Sequence, residues 1–218
     1  MEKGERKKDE TIFAGSLSKS EEAQLAKTVA QDRSVLVFHD FELSKDGAAR
    51  KEGLGQLLVQ RNEWLGHHAW TRRPQMPTFH VKFRQGMQKI LQILSDWYLS
   101  ASRDASPAAE ACRQFTMFRE GLRMHVRIEE KQLFPQLQRW HPRVDTSFLY
   151  VDHARLHELE EEVARKFRSI STMALYGHVE RDDKAELLRS LLAFDKCLIT
   201  HLGEEEDIIV PLTLNAPE

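Results

Sequence analysis

The chain has 218 residues, of which 41% are hydrophobic and 30% charged, enough for one ordinary globular domain and an additional segment. Its net charge of -2 and its lack of a basic run interleaved with aromatic residues argue against nucleic acid as a partner. The first twenty residues are polar and carry both signs of charge, and no stretch of eighteen apolar residues occurs. We therefore expect a cytoplasmic protein without a targeting peptide or a membrane-spanning helix.

The first third of the chain, residues 1–77, has no continuous pattern. We predict a helix over residues 20–31, a short β-like run over 34–41, a turn at 45–47 and a helix-like segment that ends near Trp64. Residues 72–77 contain two prolines and so cannot form the interior of a helix, and the segment ends there. We interpret residues 1–77 as an N-terminal extension of unknown role, through which a protein partner could bind.

The remainder of the chain, residues 78–214, predicts four long helices. Apolar residues recur at helical spacing from Thr78 to about residue 99, and Pro107 is placed to begin a second helix that runs to about Arg139. A third helix starts after Asp145 or Thr146 and reaches about residue 175, and a fourth ends at residues 210–211. Short links favour antiparallel neighbours, so the prediction is an all-α, up-and-down, antiparallel four-helix bundle.

An internal repeat relates the second helix to the fourth. A shift of 76 residues superimposes residues 118–135 on residues 194–211, and six of these eighteen positions are identical. Both copies contain the pattern H-x-x-x-E-E-x-x-x-x-P, which indicates two halves related by a pseudo-twofold axis.

The repeated histidine and glutamate have the spacing of metal ligands. Residues four apart lie on one helical face, so His125 with Glu129 and His201 with Glu205 can each reach one metal. A helix rises about 1.5 Å per residue, so the number of residues between each histidine and the nearest interhelical link gives its height along the bundle. By this measure the candidate histidines all lie at one height, namely His80, His125, His153, His157 and His201. Neighbouring apolar residues place these groups towards the core, where an uncompensated polar group costs roughly 1–7 kcal/mol. Nitrogen and carboxylate ligands without thiolate suit iron, manganese or zinc.

Two other metal proteins fit these residues less well. Zinc peptidases need H-E-x-x-H, and Ala154 follows His153 where a glutamate is required. Ferritin-like bundles use E-x-x-H, and no histidine of the chain has a glutamate three residues before it.

The order H, H-x-x-x-E, H-x-x-x-H and H-x-x-x-E over four helices resembles the hemerythrin family, specifically its hemerythrin-like HHE cation-binding domains, from about residue 78 to 214. The resemblance implies two iron ions, Fe²⁺ or Fe³⁺, joined by an oxo or hydroxo bridge. Its implied ligands are His153, His157 and His201 for one iron, His80 and His125 for the other, and Glu129 and Glu205 as bridges. Classical members place the second bridge at the position of Glu206, so both glutamates stay candidates, with Glu205 preferred.

Several functions fit such a site. The first is a carrier, store or sensor that binds O2 or another small ligand such as nitric oxide. The second is a di-iron enzyme that removes peroxide or oxidises ferrous iron, and the third is an iron- or oxygen-responsive interaction module that uses residues 1–77. Whether the chain is an enzyme stays open.

Gly121 is the repeat counterpart of Cys197, and each lies one turn before its histidine. A glycine inside a helix costs roughly 1 kcal/mol relative to alanine. Close packing of two helices is one explanation for it. The other is that Gly121 leaves room for a ligand beside His125, at the iron that the resemblance leaves open.

Overall fold

The computed structural model of the protein describes residues 16–30, 45–55, 58–59, 61–69, 76–100, 102–177 and 179–216. The regular structure in these ranges is helical, without a strand, which confirms the predicted class. The α-helices are α1 (Lys19–Ala30), α2 (Lys45–Leu54), α3 (Met76–Leu99), α4 (Ser106–Ile128), α5 (Phe134–Trp140), α6 (Ser147–Leu175), α7 (Arg181–Glu204) and α8 (Val210–Leu214). A 3-10 helix spans Arg61–Gly66. The predicted β-like run at 34–41 lies outside the described residues.

Four long helices enclose the main core. Helix α3 packs against α4 and α7, and α6 packs against the same two helices, so the four form a closed ring. Each contributes buried apolar side chains, such as Leu91, Phe115, Val163 and Leu191. Burial of this amphipathic face stabilises the helices far more than their intrinsic propensity does. The antiparallel direction of the four helices stays a prediction. Within the described ranges, no helix is both long and apolar enough to cross a bilayer.

Helices α4 and α7 each end in a single π-helical turn, Glu129–Leu133 and Glu205–Ile209. The N–H of Phe134 donates to the carbonyl of Glu129, and the N–H of Val210 donates to the carbonyl of Glu205, so each bond spans five residues instead of four. A proline follows both turns, and its ring cannot be accommodated by an unmodified α-helix. The wider turn lets the helix continue past Pro211, where we wrongly expected it to end.

Helix α1 is docked on the bundle by its capping residues. Ser18 and Glu21 exchange hydrogen bonds at 2.7 and 3.2 Å, a capping box. The Nε of Arg189 on α7 donates to the same glutamate at 2.9 Å. The hydrogen bond from the backbone of Ser18, with that from Arg189, lowers the pKa of Glu21 to about 2. The start of α1 therefore depends on an ionised glutamate.

Helix α2 lies against the end of α7. Arg50 contacts Glu204 at 2.6 Å, and Lys51 contacts Asp207 at 3.0 Å. The turn predicted at residues 45–47 is instead the first turn of this helix. Gly47 permits a close approach here, because a Cβ would lie 2.6 Å from an oxygen of Glu204. The N-terminal segment thus contacts the residues directly beside Glu205.

Candidate metal centre

Six of the seven predicted ligands lie together inside the ring of helices. Helix α3 supplies a histidine near its start, α6 supplies one near its start, and the ends of α4 and α7 each supply a histidine and a glutamate. These residues are His80, His125, Glu129, His153, His201 and Glu205, and all of them are buried. Both glutamates stand at the first position of a π-helical turn, a feature that is frequent at functional sites.

The six residues form two overlapping groups, each with ligand atoms within 4.8 Å of one another. One group contains His80 and His125, and the other contains His153 and His201; the same two glutamates, Glu129 and Glu205, belong to both. Each group therefore offers two imidazoles and two shared carboxylates. Each group alone therefore has four nitrogen and oxygen donors that could hold a metal ion.

The distances between these groups agree with a shared centre. The Nε2 atoms of His125 and His153 lie 3.0 and 3.5 Å from the two oxygens of Glu129. The Nε2 atoms of His80 and His201 each lie 3.4 Å from an oxygen of Glu205. Histidines from both halves thus direct the same ring nitrogen at the carboxylates.

The polar atoms at the centre have no hydrogen-bond partner among the described residues. They are the Nε2 atoms of all four histidines and both oxygens of Glu129 and of Glu205. A buried polar atom without a partner costs roughly 1–3 kcal/mol, and more if charged, so native structures rarely keep several together. Cations bound within the two groups would satisfy these eight atoms. The residues therefore fit a metal site.

Carboxylates outside the centre hold the outer ring nitrogens of two of the four histidines. The Nδ1 of His80 donates to Glu206 at 2.9 Å, and the Nδ1 of His153 donates to Glu130 at 3.0 Å. These hydrogen bonds place the proton on Nδ1 and leave the Nε2 lone pair directed at the centre. Buried Arg84 contacts Glu206 at 2.7 Å. Of the two candidate bridges, the structure places Glu205 at the centre and directs Glu206 to His80 and Arg84.

The two shared glutamates have opposite pKa shifts. Burial alone raises the pKa of Glu129, but the adjacent imidazoles of His125 and His153 outweigh this effect and hold that pKa below its usual value. Burial, together with the negative charge of Glu129, raises the pKa of Glu205 well above its usual value. Two carboxylates this close resist being ionised together unless a cation lies between them.

The buried histidines are suited to ligation. Burial lowers the pKa values of His80 and His201, so both rings are neutral at pH 7. Neutral imidazole is the form that binds metals. Asp152 lies 3.8 Å from the Nδ1 of His201, on the side away from the centre.

The structure does not bring His157 to the centre, which corrects the expected set of five histidines. Its side chain is 62% exposed, and its Nδ1 lies 3.8 Å from a carboxylate oxygen of Glu160. Four residues advance a helix by one turn plus about 40°. The buried face of α6 contains His153, Leu156 and Glu160. Viewed along the helix axis, Leu156 and Glu160 lie on one side of His153, and the 40° advance places His157 on the other side. His157 therefore turns to the surface.

A cavity of about 430 Å³ lies beside one half of the centre. Gly121, His125 and Glu129 are among its lining residues. A Cβ at Gly121 would meet Cε1 of Phe83 at 3.6 Å, an ordinary van der Waals contact. Close helix packing therefore does not require this glycine, and the missing side chain opens the cavity instead.

The roles of Arg84 and Glu130 beside the centre were not predicted from the sequence. The available signal was the doubled E-E of the repeat, since the second glutamate of each pair contacts the histidine of a neighbouring helix. The repeated proline was likewise a signal for the π-helical turns that start at the first glutamate.

Comparison with known families agrees with this geometry. The model of the family described as Hemerythrin HHE cation binding domain matches residues 74–213, more than half of the chain. Members of this family bind metal cations, and the buried histidines and glutamates described above are able to hold one. Searches of the curated proteins and of the solved structures gave no match.

Proposed function

Because the chain belongs to the hemerythrin HHE cation-binding family, we propose that it is a non-haem di-iron protein that binds O2 or a related small ligand such as nitric oxide. The observation that carries this proposal is the sharing of Glu129 and Glu205 by two groups of histidines. A single ion could not use both pairs of histidines and both carboxylates at these separations. Residues 78–214 form the proposed metal-binding unit, in the cytosol, and residues 1–77 an extension to it.

Each proposed ion would have two histidines. His80 and His125 would hold one iron, and His153 and His201 would hold the other, with the two glutamates as bridges. This division replaces the three-to-two division of the family resemblance, because His157 faces solvent. Bound iron would supply reversible oxidation and a coordination position for a small ligand.

The protein's own residues would control access to that position. The cavity lined by Gly121 reaches His125 and Glu129, whereas the repeat counterpart of this glycine, Cys197, carries a side chain. Apolar residues such as Phe83 and Leu133 line the same cavity and restrict water. Glu206 and Glu130 hold the imidazoles in the tautomer that faces the metal. The ligand would therefore approach on the side of His80 and His125.

Stepwise addition of O2 to protein prepared without oxygen tests this proposal. The iron-loaded, reduced protein is titrated with O2, then with azide after oxidation, and the visible absorption spectrum is recorded at each step. We expect a new band that saturates at one O2 per pair of irons and a change of that band with azide. Absence of any band at full iron content would contradict ligand binding, and repeated release of oxygen from hydrogen peroxide would identify an enzyme instead.

A further inference from the structure

The cavity beside His125 is much larger than a diatomic ligand needs. Its volume of about 430 Å³ falls within the range of sites that bind small organic molecules. O2, nitric oxide or azide would occupy a small part of it. The remaining space calls for a second explanation.

The lining of this cavity is mostly apolar, and part of it is exposed to solvent. Phe79, Met124 and Ile128 are 53%, 55% and 47% exposed, and all three line the cavity. Three large apolar side chains on one concave surface indicate a binding site more than chance exposure does. An apolar body would cover them.

One cationic side chain belongs to the lining. Lys82 lies on α3, and its Nζ is 5.8 Å from the ring centroid of Phe79, so the charge stands above the aromatic wall. Lys82 is exposed, which places it at the rim, while the one carboxylate of the lining, Glu129, is buried at the inner end. The arrangement of charge therefore favours a ligand with an anionic group at the rim.

Among the described residues, the other half of the repeat has no equivalent of this surface. A shift of 76 residues replaces Gly121 by Cys197 and Ile128 by Glu204. Glu204 is buried and contacts Arg50 of α2 at 2.6 Å, so the N-terminal segment covers that half. The apolar surface is thus particular to the half that contains His80 and His125.

We propose that this cavity binds an amphipathic organic carboxylate, with its apolar body against Phe79, Met124 and Ile128 and its carboxylate at Lys82. The inference deepens the proposed function and rests on it in one respect: the inner end of the ligand faces the proposed iron pair. A bound carboxylate of this kind would lie across the entrance of the small ligand.

Calorimetric titration of the full-length, iron-loaded protein tests this inference. The probes are octanoate, octanol and octylamine, which share one apolar chain and differ in the charge of the head group. We expect octanoate to bind most tightly and octylamine least. Lys82→Glu should weaken octanoate binding about tenfold, since it removes one attraction and adds one repulsion. Octanol binding should change less than twofold.

Arg155→Glu is the matched control. Arg155 stands two residues after His153, as Lys82 stands two residues after His80, and both side chains are exposed, but Arg155 does not line the cavity. It should leave all three affinities unchanged. Lys82→Gln replaces the first variant if Lys82→Glu loses its helix content, with a loss of about fivefold expected for octanoate.

Failure to bind octanoate, an unchanged preference in the Lys82 variant, or an equal effect of Arg155→Glu would overturn the inference. Iron content is measured on the same samples. If the protein takes up no iron but still prefers octanoate, the di-iron proposal is refuted and the cavity site stands. If the protein takes up its full iron content but shows no preference for octanoate, the cavity site is refuted and the di-iron proposal stands.

Discussion

Glu206 and Glu130 each orient a histidine, but their removal should lower the free energy of unfolding by different amounts. Glu206 and Glu130 are repeat counterparts, and each accepts a hydrogen bond from an outer ring nitrogen. The side chain of Glu206 is 1% exposed and contacts Arg84, which is 2% exposed. The side chain of Glu130 is 31% exposed. One carboxylate therefore neutralises a buried cation, and the other does not.

The expected losses of stability follow from this difference in burial. Removal of one partner of a buried ion pair costs about 3–5 kcal/mol. Arg84 has further interactions, so we take the lower end. For a chain of this size, about 3 kcal/mol corresponds to a decrease in Tm of roughly 6–12 °C. Glu206→Gln should show this decrease, whereas Glu130→Gln should cost about 1 kcal/mol or less, as expected for a partly exposed hydrogen bond. Both should lower metal affinity about 10–100-fold.

Thermal and urea unfolding of the metal-depleted variants, followed by iron titration, measure the two effects separately. The double variant Glu206→Gln with Arg84→Met is the control, because it removes both charges and should recover most of the lost stability. Equal stability of the variants at Glu206 and Glu130, or no recovery in the double variant, would refute the assigned role of Arg84.

Three further outcomes are expected. His157→Ala should leave the iron content unchanged, whereas His153→Ala should lower it by about one ion per chain; metal analysis of both variants decides this, and equal losses would contradict the division of ligands. Gly121→Leu should keep the iron and the helix content but lose azide binding, while Cys197→Leu keeps it; retained azide binding in the glycine variant would show that the cavity is not the ligand route. Glu21 has its pKa lowered to about 2, so its contribution to α1 docking is complete above the unfolded pKa of about 4.5 and is lost as the pH falls towards 2. The hydrogen-exchange protection of α1, corrected for the pH dependence of intrinsic exchange, should therefore fall over that interval, and Glu21→Gln should reduce this fall.

Much of the candidate metal centre could be predicted because its histidine and glutamate motif occurs twice in the sequence. His125 with Glu129 and His201 with Glu205 stand out against the background since the same spacing occurs twice, and spacing along a helix determines which side chains share a face. His80 has no such motif. Its axial level and the order of the ligands in the family resemblance indicated it, and the structure places it at full burial within the centre.

What could not be predicted depends on rotation about the helix axis and on contacts between helices. Spacing of four residues allows His157 to share a face with His153, but the orientation of α6 decides which side of that face is buried. The π-helical turns widen the helix at Glu129 and Glu205 and so change the register of every later residue. Arg84 acts through a residue more than a hundred positions away in sequence. No local pattern reports such a contact.

Metal stoichiometry tests the central claim most directly. The protein is purified, loaded anaerobically with excess ferrous iron, freed of unbound metal, and analysed for metal per folded chain. The two groups of histidines that share Glu129 and Glu205 predict about two iron ions. A value that saturates at one iron, or uptake of zinc with no uptake of iron, would contradict a di-iron centre.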